Sequence, residues 1–283
     1  MRAWFLALTA LALLGCSPQP QAAHPALWHV ESADGHEGWL FGTIHSAPRP
    51  LEWETGAVRA ALDSADTIMV EVANIADEAA VSATFARLAK NENQPPLSQR
   101  IAPSERPALA ALLKRNGFLD GDFTGMDTWA AALTVVRQDK DGSDPRYGVD
   151  RAVIAKADGR PIVELEGAAG QLRIFDALPE KEQRDLLDAV VREADRSDLD
   201  LSAAWRKGDM IAIEKEANTG LLADPELRAA LFTGRNRRWS ARMAEALNAN
   251  RKPFVAVGAA HMAGPDGLPA ILARQGFTVT RIE

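Results

Sequence analysis

Apolar positions fall in two rhythms along this chain: short unbroken runs, and longer stretches in which they return every third or fourth residue. Leu27-Trp28-His29-Val30 and Gly38-Trp39-Leu40-Phe41 flank Asp34-Gly35. Aromatic and β-branched runs around an Asp-Gly pair predict a hairpin, its second strand reaching Ile44. Trp53 to Ala65 reads as a helix and Thr67 to Val72 as a buried strand between Asp66 and Asn74. A strand, helix, strand order with short links predicts a right-handed parallel crossover. Asp77 to Lys90, Ser104 to Asn116 and Met126 to Gln138 follow as helices, with Ser104 as a cap and Gly117 as a stop. Pro95-Pro96 and Asp139 to Pro145 mark loops between them. These three helices form an insertion over the core.

A second crossover is predicted by a helix over Val149 to Ala157, a turn at Asp158 to Pro161 and a strand over Ile162 to Gly167. Helices then fill Pro179 to Arg196, Leu199 to Lys207, Met210 to Ala217 and Pro225 to Asn248. Pro253 to His261 reads as strand, followed by the Gly264 to Gly267 loop, a helix to Gln275 and a closing strand from Phe277 to Ile282. No repeat of solenoid length interrupts this order. Strands separated by helices predict an α/β, or mixed α+β, fold with parallel strands.

The N-terminal segment departs from both rhythms. Arg2 precedes an apolar stretch, Trp4 to Leu14, that is too short to span a bilayer and matches a signal segment over residues 1–15. It ends in Leu13-Leu14-Gly15-Cys16, which resembles the lipobox of bacterial lipoproteins; a plain signal peptide cleaved near Ala22-Ala23 is the alternative. Cys16 is the only cysteine, so disulfides within the protein and thiolate metal sites are excluded, and lipidation is its expected use. Residues 16–26 are polar and proline-bearing and read as a flexible tether, leaving 27–282 as a single domain. Multiple acyl chains would hold the protein at a membrane, and Ser17 after the cysteine, by its resemblance to lipoprotein sorting signals, favours the outer over the inner membrane. With 32 Lys and Arg dispersed among 39 Asp and Glu, and a net charge of −7, a nucleic-acid partner is not expected.

Two of these strand-like runs break at a glycine and deliver a histidine three residues later: Gly42-Thr43-Ile44-His45 and Gly258-Ala259-Ala260-His261. Twenty glycines and five histidines among 283 residues give roughly 0.35 such matches by chance. In open parallel sheets, ligands gather outside the carboxyl ends of the strands, and His45, Glu71, Glu166 and His261 all fall near such ends. Two imidazoles with one or two carboxylates suit a borderline divalent ion with open positions, which would activate a water for hydrolysis. Glu71 lies in an apolar run where an unpartnered acid is costly. Glu164 and Glu166 share a strand face, and either would face the site. Asp150 fits a helix N-cap as well as a ligand role. Arg235-Asn236 would point inward from a basic helix to steady an oxyanion or a substrate carboxylate.

These blocks, with Tyr147-Gly148-Val149-Asp150 and Gly264-Pro265-Asp266-Gly267-Leu268, together resemble the TraB/PrgY/GumN family, related to the Tiki metalloproteases, from about Leu27 to Ile282. The resemblance implies a Tiki/ChaN-like central sheet. It also implies a metal-dependent site in which His45 and His261 ligate Mn, Co or Zn, and Glu71 acts as ligand or general base. Asp150, Arg235 and Asn236 also resemble family positions, and Asp150 and Glu166 are further candidate ligands. Activity on a peptide or protein substrate is implied through the animal branch. A non-catalytic accessory protein binding peptide, haem or polysaccharide, and a metal-independent esterase-like hydrolase, are the alternatives.

Overall fold

The computed structural model describes residues 19–73, 77–136, 143–194 and 199–283. The signal segment, Cys16, Ser17, Asn74, the helix ends expected at Gln138 and Arg196, and residues 139–142 lie outside the described residues. The strands are β1 (Gln21–Ala22), β2 (Leu27–Glu31), β3 (Glu37–Thr43), β4 (Leu51–Glu52), β5 (Thr67–Val70), β6 (Ile162–Glu164), β7 (Pro253–Gly258) and β8 (Thr278–Arg281). The helices are α1 (Gly56–Ser64), α2 (Glu78–Leu88), α3 (Arg106–Asn116), α4 (Thr128–Val135), α5 (Val149–Ala155) and α6 (Gly167–Asp176). They continue as α7 (Glu180–Glu193), α8 (Leu199–Arg206), α9 (Met210–Ala217), α10 (Pro225–Arg228), α11 (Gly234–Asn248) and α12 (Leu268–Arg274).

Six strands form the central sheet in the order β6-β5-β7-β3-β2-β8. Neighbours are parallel from β6 to β3, and β2 is antiparallel to both β3 and β8, so the fold is mixed α/β. The hairpin forms as its Asp-Gly turn predicts, pairing Leu27 with Phe41 and Glu31 with Glu37. The first crossover joins strands that are parallel but not adjacent, because β7 inserts between β3 and β5. Only the last third of the chain supplies that middle strand, so local pattern does not reveal it.

Side-chain alternation divides the strands between two cores, as period-2 geometry requires of a sheet covered on both faces. Phe41, Ile68, Val70, Phe254 and Ala256 join Trp53, Val58 of α1, Val153 of α5 and Trp205 of α8. Leu40, Met69, Val255 and Val257 join Trp239 and Met243 of α11 and Leu272 of α12. The three helices expected as an insertion share a third apolar cluster with α7 and α10, built from Leu109, Trp129, Leu186, Leu187 and Leu227.

Several boundaries differ from expectation, each for a local reason. α1 starts at Gly56 rather than Trp53, because the Thr55 hydroxyl caps it by accepting the Val58 N–H. Ser104 is no cap; it lies in a 3-10 turn, and the helix begins at Arg106, followed by Pro107. Gly117 does stop α3, at φ 74°. The strand expected to reach Gly167 ends at Glu164, and Gly167, at φ 71°, turns the chain into the unanticipated α6. The expected helix from Pro225 to Asn248 contains a π turn over Ala229–Thr233 between α10 and α11. The tether expected over 16–26 is bound to the body at its C-terminal end. β1 pairs with β4, the His24 N–H reaches the Arg206 carbonyl, and Ala23 and Ala26 are buried. No described helix is long and apolar enough to cross a membrane.

Candidate active site

The parallel strands β5, β7 and β3 run side by side, pairing Val70 with Ala256 and Thr43 with Gly258. Their carboxyl ends open into a cavity of about 370 Å³ whose wall includes Thr43, His45, Glu71, Asp150, Arg151 and Gln171. This is where a parallel sheet gathers ligands.

Glu71 stands one residue beyond β5 and is 9% exposed. One carboxylate oxygen accepts the Gly258 N–H at 2.8 Å, and the other accepts from Arg235 Nη2 at 2.6 Å and Gln171 Nε2 at 3.2 Å. Burial alone would raise this carboxyl, but the charges of His261 and Arg235 and the Gly258 N–H outweigh it and hold Glu71 below the usual carboxylate range. At pH 7 His261 is neutral, and the positive charge beside Glu71 is that of Arg235.

Arg235 joins most of the remaining candidates. Its Nε lies 3.1 Å from both Glu166 oxygens, Nη2 reaches Glu71 and Glu166, and Nη1 reaches the Leu231 carbonyl at 3.2 Å and His261 Nε2 at 3.3 Å. Its guanidinium lies 4.5 Å from the Trp239 ring centroid. Every N–H direction of the fork is engaged, so Arg235 has none left for an oxyanion. Asn236 is equally committed: its amide donates to the Asp266 and His261 carbonyls, and its oxygen faces His261 Nδ1 at 2.6 Å. Both residues expected to meet a substrate oxygen have their polar atoms engaged within the protein interior.

His261 shows why two similar motifs acquire different environments. β7 ends at Gly258 and coils at once into the 3-10 turn Ala259–Met262, folding the ring back into the protein. There it lies nearly parallel to Phe232, with centroids 5.2 Å apart, and 4.6 Å from Trp239. Burial drives its pKa down to about 3, so the ring is neutral. With Nδ1–H donated to Asn236, Nε2 is the acceptor facing Arg235.

His45, by contrast, follows β3 into open backbone, and 71% of its side chain is accessible. Its Nδ1 meets Asp150 Oδ2 at 2.6 Å, and that hydrogen bond raises the imidazole pKa. The N-terminus of α5 is fastened to this strand exit by the Val149 N–H on the Ile44 carbonyl at 2.8 Å. Gly148, not Asp150, is the α5 cap residue. Glu166 lies past the end of β6 and faces Arg235, whereas Glu164 accepts the Ala73 N–H at 2.7 Å.

Of the expected site residues, His45, Asp150 and Glu71 share the cavity wall, while Glu166, Arg235, Asn236 and His261 form a network joined to it through Glu71. The donor atoms do not converge as a ready three-ligand set. Among the described residues, only Glu182, Asp224 and Glu226 bring three such atoms within 4.8 Å of one another, and that acidic group does not line this cavity. Sequence reasoning missed Arg151, Gln171 and Thr43, whose hydroxyl is buried without a partner. Arg151 adjoins the Tyr147 to Asp150 block and was within reach; Gln171 lies on the helix that was not anticipated.

The model of the TraB/PrgY/gumN family matches residues 26–281. The chain belongs to the TraB/PrgY/gumN family. That match covers the central sheet and every cavity residue named above. Among curated proteins, YbaP of Escherichia coli strain K12, described as uncharacterized, is 27% identical over 250 residues, covering 82% of this chain and 86% of YbaP. YbaP of Shigella flexneri matches to the same extent. No solved structure matches this family member.

Proposed function

We propose that this family member is a metal-dependent hydrolase of peptide bonds, held in the bacterial envelope by a lipid on Cys16, with the outer membrane favoured. The observation that carries the reading is the cavity at the strand ends, where an imidazole backed by a carboxylate shares a wall with an ionised, buried glutamate. Metal-ligating histidines characteristically pass their second nitrogen to a carboxylate, and His45 does so to Asp150, leaving Nε2 for an ion. The donor types therefore suit Mn, Co or Zn, with His45 and Glu71 as the residues that would hold it. Such an ion supplies a bound water of lowered pKa and polarises the scissile carbonyl.

The chain's own residues prepare that site. Asp150 fixes the tautomer and direction of His45, and Arg235 keeps Glu71 ionised at neutral pH. Glu166 and the neutral His261 anchor Arg235 in turn, while Asn236 fixes the His261 ring. Lipid anchoring is supported by the Leu13 to Cys16 pattern.

The experiment is metal analysis and peptide-library turnover of the detergent-solubilised protein, with and without chelator. Bound divalent metal, chelator-sensitive turnover and its loss in His45→Ala and Glu71→Gln are expected. Wild-type rates in the variant combining His45→Ala with Glu71→Gln would defeat the proposal. A second reading is favoured by one observation, that Arg235 faces the Glu71 and His261 atoms a third ligand would need. In that reading the His45–Asp150 pair is a general base without metal, and turnover persists in EDTA.

A further inference from the structure

The charged groups on the cavity wall are not balanced alike. Asp150 is committed to His45 and to the Arg151 backbone N–H, and Glu71 to Arg235. Arg151 lines the same cavity, is half-buried, and its guanidinium has no hydrogen bond or ion pair among the described residues. Arg146, nearby in sequence, is by contrast tied to Asp144 at 2.5 Å. Among the described residues, none supplies this cavity cation with a counter-charge. The Thr43 hydroxyl in the same wall is also buried and without a partner. Buried polar groups are almost always satisfied by something, so the Thr43 hydroxyl points to a polar occupant, and the Arg151 guanidinium in the same wall points to an anionic one.

We propose that Arg151 sets the substrate class by binding a carboxylate, namely the free C-terminus of a short peptide. The assignment rests on the hydrolase reading for what happens next, but not for the binding itself. A planar guanidinium matches a carboxylate with two parallel hydrogen bonds. At about 370 Å³ the cavity is at the small end of ligand sites, which keeps the anchored carboxylate close to the bond presented to His45 and Glu71. A terminal carboxylate meets that constraint. One on a long side chain meets it less well.

The test uses the full chain in detergent, with chelator added to arrest turnover, and three probes: N-acetyl-trialanine, its C-terminal amide, and the amide of N-acetyl-Ala-Asp-Ala. Calorimetry should show the free acid bound about 10-fold or more tighter than its amide, the scale of a charged hydrogen bond. Arg151→Gln should erase that ratio, and Arg151→Lys should restore part of it. Equal affinity for acid and amide in the wild type, or a preference surviving in Arg151→Gln, overturns the proposal. An aspartate amide bound as tightly as the free acid overturns the C-terminal assignment. Absence of turnover with the carboxylate preference intact would instead count against the hydrolase reading alone.

Discussion

Replacing Arg235 by methionine tests the charge arrangement most directly. Methionine keeps an unbranched stem against Trp239 and removes the cation. It strands Glu71 and leaves Glu166 only the longer contact to Arg238 Nη2 at 3.5 Å; their side chains are 10% and 7% exposed, and both meet Arg235 within 3.0 Å. Removing one partner of a buried ion pair costs about 3–5 kcal/mol, because the remaining charge is left in a poor solvent. Global stability is about 5–15 kcal/mol for proteins of this kind, so a large fraction is at stake. Adding Glu71→Gln and Glu166→Gln removes the stranded charges and should return the protein to within about 2 kcal/mol of wild type. That recovery is the signature of coupling rather than of general damage. Guanidinium unfolding at pH 7 with linear extrapolation measures it, and chelator must be present so that a bound ion does not stabilise the carboxylates. A cost below about 1 kcal/mol for the single variant, or no recovery on adding the glutamines, would refute the assignment of Arg235 as their counter-charge.

Further outcomes follow from the same geometry. Asp150→Asn should weaken binding at the proposed metal site by about 10- to 100-fold, read by competition with a chromogenic chelator, the cost of losing a carboxylate that orients a ligating histidine. Gly148→Ala should lower kcat/KM about 10-fold or more at unchanged helicity, because an added Cβ would lie 2.4 Å from the His45 carbonyl and 2.7 Å from Asp150 Oδ1 and must displace the pair. His261 has a folded pKa depressed from 6.5 to about 3. Its contribution is therefore complete above pH 6.5 and is lost as pH falls toward 3, about 2 kcal/mol of it by pH 5; His261→Gln should remove that part of the pH 7 to pH 5 difference in unfolding free energy. Cys16→Ser should move the protein from the membrane to the soluble envelope fraction on cell fractionation.

The placement of the candidates was legible in the chain, and their orientations were not. The Gly42 and Gly258 motifs mark the ends of adjacent strands because an apolar run broken by glycine records burial and its end, which is what a strand exit is. The same pattern does not record how the chain turns afterwards. A 3-10 turn sends His261 inward, whereas the irregular backbone after β3 leaves His45 in the cavity wall. The acid in Val70-Glu71-Val72 announced a partner by the cost of burying it alone. That partner, Arg235, lies 164 residues away, and its identity depends on α11 packing over β7. α6 is hidden in the sequence because Gly167, after an apolar run, reads as the end of a strand, whereas it is the left-handed start of a helix. Asp150 is visible as a helix-start acid, but its pairing with His45 follows only from the fastening of that helix to the β3 exit.

The π turn at Ala229–Thr233, closed by the Gly234 N–H on the Ala229 carbonyl, fixes the phase of everything after it. It inserts one residue into what would be an unbroken α-helix, and each residue rotates the downstream face by about 100°. Removing a single residue there would swing the Arg235 and Asn236 side chains away from Glu71 and His261 without altering either one. Length is therefore as constrained as residue identity between Ala229 and Asn236. A comparison of family sequences should find substitutions tolerated in this segment more readily than insertions or deletions.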